Sequence, residues 1–143
     1  MKSELLIAHG AATARIAVRD GETISAGRFL ANAQALARQM PAAKYVLNSC
    51  RDRYLFAVTF CAAVIAQRTS LLPPSRTPET LAQLATRYPD TLYVGEESGD
   101  IVWHGSAVPA ARWIVDPDVQ AWPPPAIARQ HPAAIAFTSG STG

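Results

Sequence analysis

The chain is 143 residues long, the size of one ordinary globular domain, and 49% hydrophobic against 17% charged, so it carries a core and is not a disordered chain. Thirteen Lys+Arg against eleven Asp+Glu leave a net charge of +2, with the basic residues scattered, which excludes an electrostatic case for nucleic acid or an anionic membrane. The two cysteines, Cys50 and Cys61, belong to no CxxC or Cys/His cluster. Neither a disulfide staple nor a zinc site is expected, and a reducing, cytoplasmic compartment is. The start, Met1 to His9, has the look of a signal peptide, but its apolar run is only four residues and Glu4 and His9 flank it. The longest apolar stretch, Tyr54 to Ala66, is too short to span a bilayer.

In chain order, Arg15–Arg19 alternates and Asp20-Gly21 predicts a tight hairpin into Glu22–Ile24, because both turn positions need positive φ. Ser25 is placed to cap a helix with Phe29, Ala33, Leu36, Ala37 and Met40 on one face, stopped by Pro41. Tyr45–Asn48 reads as a short buried strand. Ser49 is the expected cap of an internal helix from about Arg51 to Gln67. Ser70–Leu72 is a second strand. Thr77, Pro78 and Glu79 then open a helix as cap, first-turn proline and favourable first-turn acid. Leu81, Leu84, Ala85 and Tyr88 form its apolar face, and Thr91–Val94 is a third strand. Strand–helix alternation of this kind predicts parallel strands joined by right-handed crossovers.

After Gly95 the reading is β-rich. Ile101–Trp103 and Arg112–Val115 are expected strands, and Pro117–Pro132, with five of the eleven prolines, is an extended connector. Ala133–Phe137 reads as a buried strand running into Thr138, Ser139, Gly140, Ser141, Thr142 and Gly143. The expected fold class is therefore α/β: a partial three-layer fold with a parallel βαβαβ core, an early β-hairpin and a β-rich second half.

Residues 138–143 carry the chemistry. A buried strand that opens into alternating glycines and small hydroxyl residues can wrap an anion with close backbone N–H groups and short O–H donors. It is neither a Walker loop nor a GxGxxG fingerprint, which argues against a Rossmann dinucleotide domain. No other segment of the chain is as informative. His9, His104 and His131 stand apart, and Glu96-Glu97 and Asp116/Asp118 read as solvated loop acids. Cys50 sits near a helix start, where a thiol pKa can fall, although packing is the simpler role for it and for Cys61. Trp103, Trp113 and Trp122 read as packing residues rather than a base-stacking platform.

Ala134 to Gly143 resembles the phosphate-loop signature of the acyl-adenylate-forming ligases, the family that includes acyl- and aryl-CoA synthetases. The early hairpin, the Asn48-Ser49 pair before an apolar helix and the Leu71-Leu72-Pro73-Pro74 turn resemble that family in order. The Gln67-Arg68 pair departs from it, since the family's helix usually ends in Ala-Gly. The resemblance implies an ATP- and Mg2+-dependent enzyme that joins a carboxylic acid to AMP and passes the acyl group to CoA or a carrier-protein thiol. By carry-over, Thr138, Ser139, Ser141 and Thr142 supply hydroxyls, and Gly140 and Gly143 close backbone approach, to the β/γ-phosphates. No catalytic residue and no metal ligand is assigned. Residues 1–143 are expected to be one N-terminal subdomain fragment: 1–94 the hairpin and βαβαβ part, 95–132 the β/Pro-rich part, and 133–143 the strand and loop. Such a fragment is expected to be inactive alone and to self-associate through exposed apolar faces and an open sheet edge. The competing reading is a non-catalytic α/β interaction or nucleotide-binding module.

Overall fold

The computed structural model describes residues 3–7, 10–96, 103, 105–114 and 118–138. The hairpin forms as its sequence predicts. Strand β2 (Arg15–Arg19) pairs antiparallel with β3 (Glu22–Ser25), and Asp20 and Gly21 take φ of 51° and 77° at the turn. Helix α1 (Ala26–Gln39) follows at once, because the Ser25 hydroxyl accepts from the Arg28 N–H.

Five strands then build one parallel sheet: β4 (Tyr45–Asn48), β5 (Thr69–Leu72), β6 (Thr91–Gly95), β7 (Ala107–Pro109) and β9 (Ala134–Ala136), in the order β7-β6-β4-β5-β9. Helix α2 (Arg53–Ile65) joins β4 to β5, and α3 (Pro78–Arg87) joins β5 to β6. The chain steps from β4 to β5 in one direction and from β5 back past β4 to β6 in the other. Right-handed crossovers therefore put α2 and α3 on opposite faces. Side-chain alternation agrees with this. Val46, Leu92 and Val94 pack with Leu30 and Leu36 of α1 and Leu55 and Val58 of α2, whereas Leu47, Leu71 and Tyr93 pack with Leu81 and Leu84 of α3. The result is the expected α/β fold in three layers.

Helix α2 starts later than its sequence suggests. Asp52, not Ser49, caps it, its carboxylate accepting from the Leu55 N–H at 3.0 Å. Asn48 is the reason: its Oδ1 accepts from the Cys50 N–H at 3.3 Å, which holds the chain in a turn before the helix can begin. At the other end, Gln67 stands in the left-handed region at φ 59°, its N–H donating to the Val64 carbonyl and that of Arg68 to the Ala63 carbonyl. That is a Schellman cap with glutamine where glycine is usual. Gln67→Gly is expected to stabilise the chain by about 0.5–1 kcal/mol, the relief of left-handed strain less glycine's extra unfolded-state entropy. Thermal unfolding checks it, with a rise in midpoint of about 2–4 °C.

The second half departs further from expectation. Trp103 is not in a strand; its ring stacks on Tyr93 with centroids 5.7 Å apart. Ile101 and Val102 of the same expected strand lie outside the described residues. Arg112-Trp113 form part of a 3-10 turn, Ala110–Trp113, and the sheet's added strand is instead β7, between the two expected strands. Within the connector, β8 (Ala126–Ala128) pairs antiparallel with β1 (Ser3–Leu5). Strand β9 is not buried: Ala134 and Ala136 are exposed and Ile135 is half-buried, because β9 is the sheet's outermost strand beside β5 among the described residues. Among the described residues no helix is long and apolar enough to cross a membrane.

Candidate functional site

In an open parallel sheet, ligands collect outside the carboxyl ends of the strands, most of all where the strand order reverses. Here the reversal lies between β4 and β6. The β4 end continues into Ser49-Cys50-Arg51, the β6 end into Glu96, the β5 end into Pro73–Arg76, and the β9 end into Phe137-Thr138.

The edge is tied together by polar contacts that sequence reading missed. Asn48, 2% exposed, donates from Nδ2 to the Phe56 carbonyl at 3.0 Å, so one amide links β4 to both the following turn and α2. Glu96 is not a solvated loop acid. Its carboxylate accepts from the backbone N–H of Arg51 and, at 2.5 Å, from that of Asp52, and so fills the crevice at the start of α2. Asp52 also pairs with Arg19 of the hairpin at 3.2 Å. Burial pushes the Asp52 carboxyl up, but the Leu55 N–H and the Arg19 charge and hydrogen bond outweigh it and hold the group below its ordinary value. Arg76 donates from Nη2 to the Cys50 carbonyl at 3.2 Å, anchoring the post-β5 turn over the end of β4. A buried Asn, or an acid one residue past a strand, was the available signal.

Cys50 does not gain reactivity from the helix start. Burial pushes its thiol up to about 11, against a smaller opposing hydrogen bond with Thr59, and burial likewise pushes Cys61 up to about 11. Both are packing residues. His131 Nε2 donates to the Arg68 carbonyl at 2.9 Å, since a carbonyl only accepts. Trp113 and Trp122 pack against the α1/α2 core as half-buried side chains. His9, His104, Glu97 and Asp116 lie outside the described residues, and Asp118 is exposed. Among the described residues no three His, Cys, Asp or Glu side chains gather as a metal site.

Of the six loop residues, the structure describes Thr138; Ser139, Gly140, Ser141, Thr142 and Gly143 lie outside the described residues. Strand β9 is held in register by β5, with the Phe137 N–H donating to the Leu72 carbonyl at 3.3 Å and Thr69 Oγ1 donating to the Pro132 carbonyl at 2.7 Å. Phe137 packs edge-on against Tyr88, centroids 5.8 Å apart. This pairing delivers Thr138, exposed, to the carboxyl edge, where it lines an open cavity of about 490 Å³ with Pro74, Thr80, Gln83 and Arg87. A second open cavity, about 580 Å³, lies outside β4 and β5 and shares Pro74 with the first. A hydroxyl donor, a nearby guanidinium and a chain poised to run on from a strand end are parts that suit an anion.

No family model and no curated protein matches the sequence. Solved structures do match the fold. The N-terminal subdomain of NpsA from Klebsiella oxytoca, in space group P21, aligns over 90% of this chain with a TM-score of 0.66 at 15% identity. The same subdomain in complex with 3-hydroxybenzoyl-AMSN gives 0.66 at 17% identity, and in complex with anthranilyl-AMSN 0.65 at 16%. The chain has the fold of the NpsA N-terminal subdomain. It spans about a third of the length of the NpsA chains, 36% of the first and 35% of the two ligand complexes.

Proposed function

We propose that the chain is the nucleotide-facing part of an ATP-dependent ligase that adenylates a carboxylic acid. One observation carries this reading: the three-layer fold shared with a subdomain that takes 3-hydroxybenzoyl-AMSN and anthranilyl-AMSN, with a hydroxyl-and-glycine segment issuing from the carboxyl end of β9. Residues 1–143 form one N-terminal subdomain in this reading, with 133–143 its strand and phosphate loop.

In the reaction, a carboxylate oxygen attacks the α-phosphorus of ATP. A bond forms between acyl oxygen and phosphorus, the bond to the β-phosphate oxygen breaks, and pyrophosphate leaves. A thiolate of CoA or of a carrier protein then attacks the acyl carbon and AMP departs. The chain's own part is electrostatic. Thr138 and the hydroxyls of Ser139, Ser141 and Thr142 donate to the β/γ-phosphates, and Gly140 and Gly143 let backbone N–H groups approach closely. Donors fixed before the reaction gain most where charge develops on the leaving pyrophosphate. Mg2+, when bound, would share that charge as a Lewis acid. The compartment of this chemistry is the cytoplasm.

The chain spans about a third of the length of the NpsA chains, so the 143 residues alone are expected to be inert. Pyrophosphate release with ATP and a panel of fatty and aromatic acids tests this. The expected result is release at the blank rate from this chain and acid-dependent release from a longer protein containing it. Turnover by the 143 residues overturns the inertness, and a longer protein that releases no pyrophosphate with any acid overturns the ligase reading.

A further inference from the structure

We propose that the cavity outside the carboxyl ends of β4 and β5 is a phosphate-binding subsite, separate from residues 138–143 and formed by Arg51 and Arg76. The cavity is about 580 Å³, with an apolar floor from Phe56, Leu72 and Pro73. Arg51, Ser75 and Arg76 line it as well, and no carboxylate does. The hydrogen bond from Arg76 Nη2 to the Cys50 carbonyl fixes that guanidinium beside the backbone of Arg51. The Arg51 side chain is exposed and makes no ion pair or hydrogen bond among the described residues.

The neighbouring acids are already engaged. Asp52 pairs with Arg19, and Glu96 is spent on the backbone N–H groups of Arg51 and Asp52. Among the described residues, these two acids against Arg19, Arg51 and Arg76 leave the corner with a positive balance. Two guanidinium groups facing one cavity without a carboxylate repel each other, and an oxyanion between them removes that cost. Their planar forks match phosphate oxygens two at a time, and the apolar floor suits a methylene or ring body behind the phosphate. Pro74 lines both this cavity and the Thr138 cavity, so the two are neighbours on the carboxyl edge. The inference stands on these side chains and does not require the adenylation reading.

The test is a titration of the 15N-labelled full chain with inorganic phosphate at low, matched ionic strength, with chloride and acetate as parallel arms. Phosphate is expected to move the backbone and side-chain N–H resonances of Arg51 and Arg76. Arg51→Gln is expected to weaken the apparent affinity about tenfold, as for loss of one charged hydrogen-bonding partner. Arg51→Lys, which keeps charge but loses the fork, is expected to fall between the two. The Arg51 side chain makes no hydrogen bond or ion pair among the described residues, so its variants report binding even if Arg76→Gln disturbs the turn it anchors. Shifts confined to residues 138–143, unchanged affinity in Arg51→Gln, or equal shifts from chloride overturn the proposal. Acetate acting as strongly as phosphate overturns its assignment to phosphate.

Discussion

Leu47→Ala is expected to cost about 3–4 kcal/mol of stability, within the span measured for leucine truncation in closed cores. Leu47 is fully buried in the central strand β4 and packs with Leu71, Tyr93, Leu81 and Leu84. That cluster has five buried members, and through it α3 packs on the sheet. A methyl-lined hole in its middle cannot be closed by a neighbouring layer, because strands on either side fix the backbone. For a domain whose whole stability is about 5–15 kcal/mol, the loss is a large share. Urea unfolding reads it directly: with a slope of about 2 kcal/mol/M, the midpoint falls by about 1.5–2 M. Amide exchange is expected to quicken throughout α3. Ile135→Ala, in the same cluster but half-buried on outer strand β9, serves as the contrast and is expected to cost less than half as much.

The second large effect belongs to Asn48. Asn48→Leu keeps the volume but leaves the buried Cys50 N–H without its partner and removes the part-buried bond to the Phe56 carbonyl, at about 2–3 kcal/mol together. The consequence reaches the carboxyl edge, since the freed turn carries the Arg51 and Asp52 N–H groups that seat Glu96. Ser49→Ala is the matched control. The Ser49 hydroxyl is buried with no hydrogen-bond partner, so removing it is expected to be neutral or slightly stabilising. A calorimetric comparison in which Ser49→Ala costs as much as Asn48→Leu would contradict this reading of the turn.

Local chemistry announced much of the fold. Asp20-Gly21 needs positive φ at both positions and forms the hairpin, and Thr77, Pro78 and Glu79 each suit a helix start and form one. Short apolar runs bounded by turn residues became β4, β5 and β6 because strands buried on both faces need no alternation. What escaped had no local signal. The three-residue strands β1 and β8 pair across almost the whole chain. Strand β7 exists because β6 offers a free edge, which outweighs the β-preference of Trp113 in the 3-10 turn. Asp52 and Ser49 offer the same cap chemistry, and only the Asn48 turn decides between them. Of the candidate site, the glycines and hydroxyls of 138–143 stand in a row in the sequence, whereas Arg51, Arg76 and Glu96 come together only when β4, β5 and β6 lie side by side.

The most direct test follows the amides of the 143-residue chain during titration with Mg-ATP. The account expects shifts at Thr138 and through Gly143, abolished when Thr138, Ser139, Ser141 and Thr142 are replaced together by alanine. Shifts that leave 138–143 untouched, or that survive those replacements, would contradict it.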